Sequence, residues 1–270
     1  MNDFLKGAFL TLTNKCNLNC KYCYQKPSLF KNTENNLKKE DWFRIIDELF
    51  LLGSKRISIV GGEPFLFEDF FEILKYLNDK NFDVKIFTNG HFLNKKNIGL
   101  IKKYGFSLSF NLNSANSKIQ DFYQKKGSWL ETVRSIKLCK KENIEFEIAS
   151  PLTKTNYSEL KEFFSFCKRL GAKRLRLVPL VYADKLDLAF DKINEKEIHN
   201  LKKEIEKIKS FEVTIGCRIC EGGKHYLTVQ PNGDITPCTI RREIIMGNIL
   251  NESFSDILKK DFQSIVSCIH

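Results

Sequence analysis

The sequence predicts an α/β fold built on a parallel sheet. Short apolar or β-branched segments alternate with amphipathic segments six times in succession, and this rhythm stops after Val181. Alternation of this kind predicts parallel strands with helices outside them. Six such units form either a doubly wound sheet or an incomplete barrel. In both, chemistry collects at the carboxyl ends of the strands, where polar Cys-rich and Gly-rich loops follow several of the segments.

The first two units have the clearest patterns. Residues 7–13 (GAFLTLT) predict a short buried strand. From 37 to 52 apolar residues recur at helical spacing, and Gly53 ends the run. Residues 56–60 (RISIV) are β-branched and predict the second strand, which is followed by a helix at 68–77.

The alternation continues through four further units and then changes. It predicts strands at 84–87, 106–112, 144–149 and 174–178, and helices at 94–103, 118–124, 129–141 and 157–170. The later predicted elements are a charged helix at 193–208, strands at 225–229 and 234–236, and a closing helix at 253–260. Pro231-Asn232-Gly233 is a turn signal, so the two later strands are expected to form a hairpin.

Composition excludes several classes of protein. The 270 residues carry a net charge of +11, spread along the chain, which favours a Lys-rich surface over a nucleic-acid site. The apolar runs are too short for a membrane span, and the start does not resemble a signal peptide. The nine cysteines are odd in number, which favours metal ligation or thiols over a disulfide framework. Cys139 and Cys167 lie in helical patterns and are expected to be buried.

The first cysteine group follows the first strand. Cys16, Cys20 and Cys23 form a CxxxCxxC loop, which can hold three irons of a four-iron cluster and leave the fourth open. An open metal position is what catalysis requires. The alternative is a structural zinc site, which would need a fourth ligand, and no His lies near in the sequence.

This loop resembles that of the radical S-adenosylmethionine (SAM) superfamily, in which an aromatic residue such as Tyr22 precedes the third Cys. Gly61-Gly62-Glu63-Pro64, at the end of the second strand, matches the GGEP motif that receives the SAM amino group in that family. The resemblance implies a partial (β/α)6 TIM-like barrel. It also implies a [4Fe–4S] cluster that chelates SAM and cleaves it to a 5′-deoxyadenosyl radical, which abstracts a substrate hydrogen.

The fourth strand departs from the family pattern. Many relatives carry Ser-Leu-Asp-Gly there, in contact with the SAM carboxylate and ribose, whereas this chain has Asn111 and Asn113. Amides can bond both groups without charge; the alternative is an Asn-rich turn. Residues 153–156 (TKTN) resemble another family segment, or they cap the next helix.

The second cysteine group comprises Cys217, Cys220, Cys238 and Cys268, and Cys238 lies five residues after Gly233 of the predicted hairpin. This pattern is similar to the SPASM/twitch extension of radical SAM maturases. The resemblance implies that Cys220, Cys238 and Cys268 bind one auxiliary iron–sulfur cluster, with Cys217, His270 or a substrate atom as fourth ligand. The short remainder of the chain favours the twitch version. Alternatively, Cys217 is not a ligand but a catalytic residue that donates a hydrogen atom to a substrate radical. A structural zinc knuckle is the alternative for the group.

The predicted function is radical modification of a ribosomally synthesised peptide, by epimerisation or crosslinking. Dehydrogenation of an aminosugar or cyclitol is the first alternative, and nucleoside or RNA modification is the second. The expected reductant is a flavodoxin or ferredoxin, and the expected location is the cytoplasm. The domain prediction is a barrel at 1–183, a linker helix at 184–210 and the auxiliary-cluster domain at 211–270.

Overall fold

A computed structural model of the chain describes residues 5–26, 29, 37–216 and 221–260. The strands are β1 Gly7–Thr11, β2 Arg56–Val60, β3 Asp83–Thr88, β4 Ser107–Asn111, β5 Phe146–Leu152, β6 Arg174–Pro179, β7 Glu212–Ile215, β8 Tyr226–Val229, β9 Asp234–Thr236 and β10 Gly247–Asn248. The helices are α1 Lys39–Leu51, α2 Phe70–Asp79, α3 Lys95–Lys103, α4 Ser117–Tyr123, α5 Ser128–Lys141, α6 Lys154–Tyr157, α7 Leu160–Leu170, α8 Glu195–Ile205 and α9 Phe254–Leu258. The fold class is confirmed: the chain is α/β with a largely parallel sheet that remains open, as a partial barrel requires.

The contacts divide the chain into two units, of which the first comprises residues 1–17, 25–87 and 219–270. Its strand order is β10-β9-β8-β1-β2-β3. Alternate residues of β1 and β2, among them Leu10 and Ile59, are fully buried. Helix α1 buries its apolar stripe, which includes Trp42 and Ile45. The alternation of period two in the strands and the helical period in α1 therefore supply one apolar core.

The second unit comprises residues 18–24 and 88–218, with the strand order β4-β5-β6-β7. All three strand pairs are parallel. Helices α5 and α7 bury one face each, and Gly171 ends α7 in the left-handed conformation with φ of 91°. Among the described residues, none of the helices has the length and apolar character needed to cross a bilayer.

Three features of the fold differ from the sequence expectation. Strand β7 pairs in parallel with β6, although no strand was expected there. Strand β8 pairs in parallel with β1, so the hairpin also joins the sheet of its unit, a pairing that the sequence did not indicate. The expected helix at 157–170 contains α7, and a separate short helix, α6, ends at Tyr157 before it. The domain boundaries stay a prediction.

Candidate functional site

The GGEP loop (Gly61–Pro64) follows β2 and lies directly against the backbone that precedes the first cysteine. Gly62 N–H donates to the carbonyl of Thr13 at 2.7 Å, and Glu63 N–H donates to that of Lys15 at 2.8 Å. A Cβ on Gly62 would lie only 2.2 Å from the Lys15 oxygen, and one on Gly61 would lie 2.7 Å from the Thr13 oxygen. The two glycines are required because any side chain would separate the two backbones.

Glu63 has a fully buried side chain. Its carboxylate accepts a long hydrogen bond of 3.4 Å from the Phe65 amide, at the start of a short 3₁₀ turn that begins at Pro64. Burial of a charged carboxylate costs free energy, which a neighbouring cation or hydrogen-bond donors offset. Glu63 therefore fits the amino group of SAM. That contact stays a prediction.

The Cys loop supplies thiols from a tight backbone turn. Cys23 N–H donates to the Cys20 carbonyl at 3.2 Å, and both side chains are half-buried, whereas Cys16 is exposed. None of the six described cysteines is disulfide-bonded. Over the described ranges, His, Cys, Asp and Glu side chains are not gathered in threes at metal-binding distance. The assignment of the three thiols as ligands therefore rests on their spacing and donor chemistry.

The hydroxyl of Tyr22 is held by amide side chains of the same unit. It donates to Asn111 Oδ1 at 2.6 Å and accepts from Asn113 Nδ2 at 3.0 Å and from Gln124 Nε2 at 2.8 Å. Burial is the largest cause that raises the pKa of Tyr22 well above its usual value, and the charge on Cys20 adds to it. The phenol is therefore neutral and acts as a hydrogen-bonding group.

Two glutamines of this network lie outside the sequence prediction. Gln124 Nε2 also donates to Asn111 Oδ1 at 2.6 Å, and Gln120 Oε1 accepts from the Asn113 backbone amide at 2.8 Å. Both side chains are buried. The available signal was their spacing of four residues, with Gln120 in α4 and Gln124 at its C-cap, shortly after an Asn-rich strand end.

Residues 153–156 have the capping role. Thr153 Oγ1 accepts from the Asn156 amide at 3.1 Å, and Asn156 Oδ1 accepts from the Thr153 amide at 2.9 Å. Asn156 also reaches the strand end, because its Nδ2 donates to the Asn113 carbonyl at 3.0 Å. The cap thus supports the position of Asn113.

Of the second cysteine group, Cys238 is described, and Cys217, Cys220 and Cys268 lie outside the described residues. Gly222, two positions after Cys220, packs so closely that a Cβ there would lie 2.8 Å from the Pro237 oxygen. Gly223 N–H donates to the same oxygen at 3.2 Å. The segment that follows Cys220 therefore lies beside the segment that carries Cys238. This arrangement fits the prediction that both cysteines bind one cluster.

Cys139 and Cys167 are core residues, as the sequence predicts. Both are fully buried. Burial raises the pKa of the Cys139 thiol to about 12 and also raises that of Cys167. Neither thiol is available as a thiolate ligand at neutral pH.

Comparison with family models matches residues 10–167 to the radical SAM superfamily and residues 220–267 to SPASM, an iron–sulfur cluster-binding domain. The chain is 28% identical to the antilisterial bacteriocin subtilosin biosynthesis protein AlbA of Bacillus subtilis, over 93% of this chain and 58% of AlbA. It is 26% identical to the AdoMet-dependent heme synthase of Methanosarcina barkeri, over 91% of this chain and 80% of that protein.

The fold also matches solved structures. A crystal structure of Streptococcus suis SuiB bound to the precursor peptide SuiA superimposes with a TM-score of 0.79 and 18% identity. The match covers 96% of this chain and 66% of SuiB, so this chain spans about three-fifths to two-thirds of AlbA and SuiB. At this identity the structural likeness shows the fold alone.

Proposed function

The chain belongs to the radical SAM superfamily, and from that premise we propose that it modifies a ribosomally synthesised peptide by abstracting a hydrogen atom. Its cofactors are a [4Fe–4S] cluster, SAM and auxiliary iron–sulfur bound by the SPASM domain. Bound together, cluster and SAM supply a 5′-deoxyadenosyl radical. The chain's own residues bind these groups, orient them and select the substrate.

We assign Cys16, Cys20 and Cys23 to the SAM-binding cluster, because three thiols in one short loop leave one iron position open. Glu63 receives the SAM amino group, since its carboxylate is buried and a charge-assisted hydrogen bond would stabilise it. Gly61 and Gly62 bring this carboxylate's backbone against the residues before the Cys loop.

Asn111, the last residue of β4, and Asn113, two residues beyond it, supply polar groups to the proposed SAM site. Asn111 and Asn113 present neutral donors and acceptors towards the SAM carboxylate and ribose. Tyr22 and Gln124 orient these side-chain amides through the hydrogen bonds described above, and Gln120 holds the backbone of Asn113. We further assign Cys220, Cys238 and Cys268 to the auxiliary iron–sulfur site.

The observation that carries the peptide proposal is the similarity to AlbA, a protein of bacteriocin biosynthesis, over 93% of this chain. The match to SuiB, crystallised with a precursor peptide, supports it at the level of fold. A specific observation favours one second candidate, chemistry on a haem precursor: the heme synthase matches over 91% of this chain and a larger share of its own length.

The test is an anaerobic turnover assay with reconstituted enzyme, SAM and dithionite. One arm contains a short peptide encoded beside the gene, and others contain an aminocyclitol or a haem precursor. We expect the peptide arm to show loss of two hydrogen atoms, or uptake of deuterium from deuterated water at one residue. The variant with Ala at all three loop cysteines should form no 5′-deoxyadenosine. A product confined to the aminocyclitol or haem-precursor arm would refute the peptide proposal.

Cys217 is proposed as the hydrogen-atom donor to the substrate radical. Cys217→Ala should then retain iron and SAM cleavage but lose the epimerised product. Cys139→Ala is the matched control, because its thiol lies in the core and its loss should leave the product unchanged. Loss of iron in Cys217→Ala, to the level of Cys220→Ala, would instead make Cys217 a cluster ligand.

A further inference from the structure

A short chain of hydrogen bonds leads from the turn of the β8–β9 hairpin to Cys238. Gln230 Nε2 donates to Thr236 Oγ1 at 3.1 Å, and Thr236 Oγ1 donates to the Cys238 carbonyl at 3.1 Å. Gln230 and Thr236 are 3% and 1% exposed, so these bonds are shielded from water. The backbone of Cys238 is therefore fixed by two buried side chains of the hairpin.

The sulfur of Cys238 also accepts a hydrogen bond from the backbone. The backbone amide of Arg241 donates to Cys238 Sγ at 3.4 Å, which closes a tight turn over residues 238–241. The Arg241 guanidinium pairs with Glu243, so its charge is offset locally. The amide thus supplies the directed N–H···S contact, and such contacts raise the reduction potential of an iron–sulfur cluster because they stabilise the added negative charge.

A neighbouring threonine shows that the hydroxyl at position 236 is not required by the sheet itself. Thr228 lies directly opposite Thr236 in the antiparallel β8–β9 ladder, and it too is fully buried. Its hydroxyl makes no hydrogen bond with the described residues. Two threonines thus occupy paired positions in one ladder, and only Thr236 bonds to the cysteine backbone.

We propose that Gln230 and Thr236 are positioning residues for the auxiliary cluster: they fix the Cys238 backbone and so keep its sulfur aligned with the Arg241 amide. This inference rests on the assignment of Cys238 as an auxiliary ligand. Loss of the Thr236 hydroxyl would remove its hydrogen bond to the Cys238 carbonyl and loosen the 238–241 turn. The N–H···S bond would lengthen, and the cluster would become harder to reduce.

The test compares Thr236→Val with Thr228→Val in the reconstituted full chain. The two variants remove the same hydroxyl from paired positions in the sheet. Iron content, the electron paramagnetic resonance spectrum and the midpoint potential of the auxiliary cluster are measured for each. We expect Thr236→Val to shift the potential downwards or to lose the auxiliary signal, while the SAM-binding cluster persists. Thr228→Val should match the wild type, and Thr236→Ser should restore the wild-type potential.

Equal potentials and spectra in Thr236→Val and the wild type would overturn the proposal, and so would equal shifts in both valine variants. If Thr236→Val fails to fold, Gln230→Met decides, since it removes the other link and should shift the potential in the same direction; an unchanged potential would overturn the proposal. Cys238→Ala separates the two levels of inference. Retention of the auxiliary signal in that variant would refute the ligand assignment, and with it the premise of this proposal.

Discussion

Gly62→Ala tests whether the close approach of the GGEP loop to the Cys-loop backbone creates the SAM site. The new Cβ would lie 2.2 Å from the Lys15 oxygen, about 0.8 Å closer than the 3.0 Å that real Cβ contacts respect. Overpacking of this kind costs about 1–3 kcal/mol. The alternative is to break the two backbone hydrogen bonds to Thr13 and Lys15, at about 0.5–1.5 kcal/mol each.

Both routes cost about 1–3 kcal/mol, so the loop should open in Gly62→Ala. SAM then binds only when the loop closes, and this cost is subtracted from the free energy of binding. We expect SAM affinity to fall by roughly 5- to 150-fold. Gly99→Ala is the matched control: its Cβ meets nothing within 4 Å in α3, and the change should stabilise the helix by about 0.5–1 kcal/mol.

The assay for this pair is SAM binding to the reconstituted enzyme, with iron content and thermal unfolding measured on the same samples. Wild-type SAM affinity in Gly62→Ala would refute the reasoning. A similar loss of affinity in Gly99→Ala would also refute it, because that variant leaves the loop untouched.

Two further predictions concern charge. Glu63→Gln should weaken SAM binding by roughly 10- to 150-fold, the loss of a charge-assisted hydrogen bond of about 1.5–3 kcal/mol, without loss of iron; unchanged affinity would exclude Glu63 as the partner of the amino group. Because the chain carries a net charge of +11 and we propose an acidic flavodoxin or ferredoxin as reductant, added salt should slow turnover with that donor and spare turnover with dithionite. Equal salt sensitivity with both donors would contradict electrostatic docking.

The first-unit elements were the most predictable part of the fold. The strand predicted at 56–60 coincides with β2, and the helix predicted at 37–52 contains α1, because both have one strong periodicity and a clear end signal. Strand β7 could not be predicted in the same way. It has four residues and one buried position, Val213, and its place is set by parallel pairing with β6. Short strands of this kind depend on tertiary contacts more than on local pattern.

The site was predictable where a residue type has a single purpose. The close backbone approach at the GGEP glycines is confirmed, because a side chain there would meet the neighbouring backbone. The spacing of the cysteines predicts thiolate ligands, and their ligation stays a prediction. Gln124 and Thr236 gave no such signal, since Gln and Thr occur in many ordinary positions. Their roles come from partners distant in sequence or across a hairpin, such as Tyr22 for Gln124. Hydrogen-bond networks of this kind are specified by the fold and are visible only once it is known.

Asn111, at the end of β4, and Asn113, just beyond it, differ in a way that the sequence does not reveal, and Asn→Asp at each position tests it. Tyr22 has one hydroxyl proton, and the shorter bond, at 2.6 Å, gives it to Asn111 Oδ1 in preference to Asn113 Oδ1 at 3.1 Å. Asn113 Nδ2, at 3.0 Å, then donates to the same Tyr22 oxygen. Asn111→Asp keeps an acceptor for both Tyr22 and Gln124 at a half-buried position and should be nearly neutral for stability. Asn113→Asp replaces a donor by a fully buried carboxylate that faces a lone pair, and should lower the free energy of unfolding by about 3–5 kcal/mol. Urea unfolding of the chain without clusters measures both, and equal effects of the two substitutions would contradict this assignment of donor and acceptor.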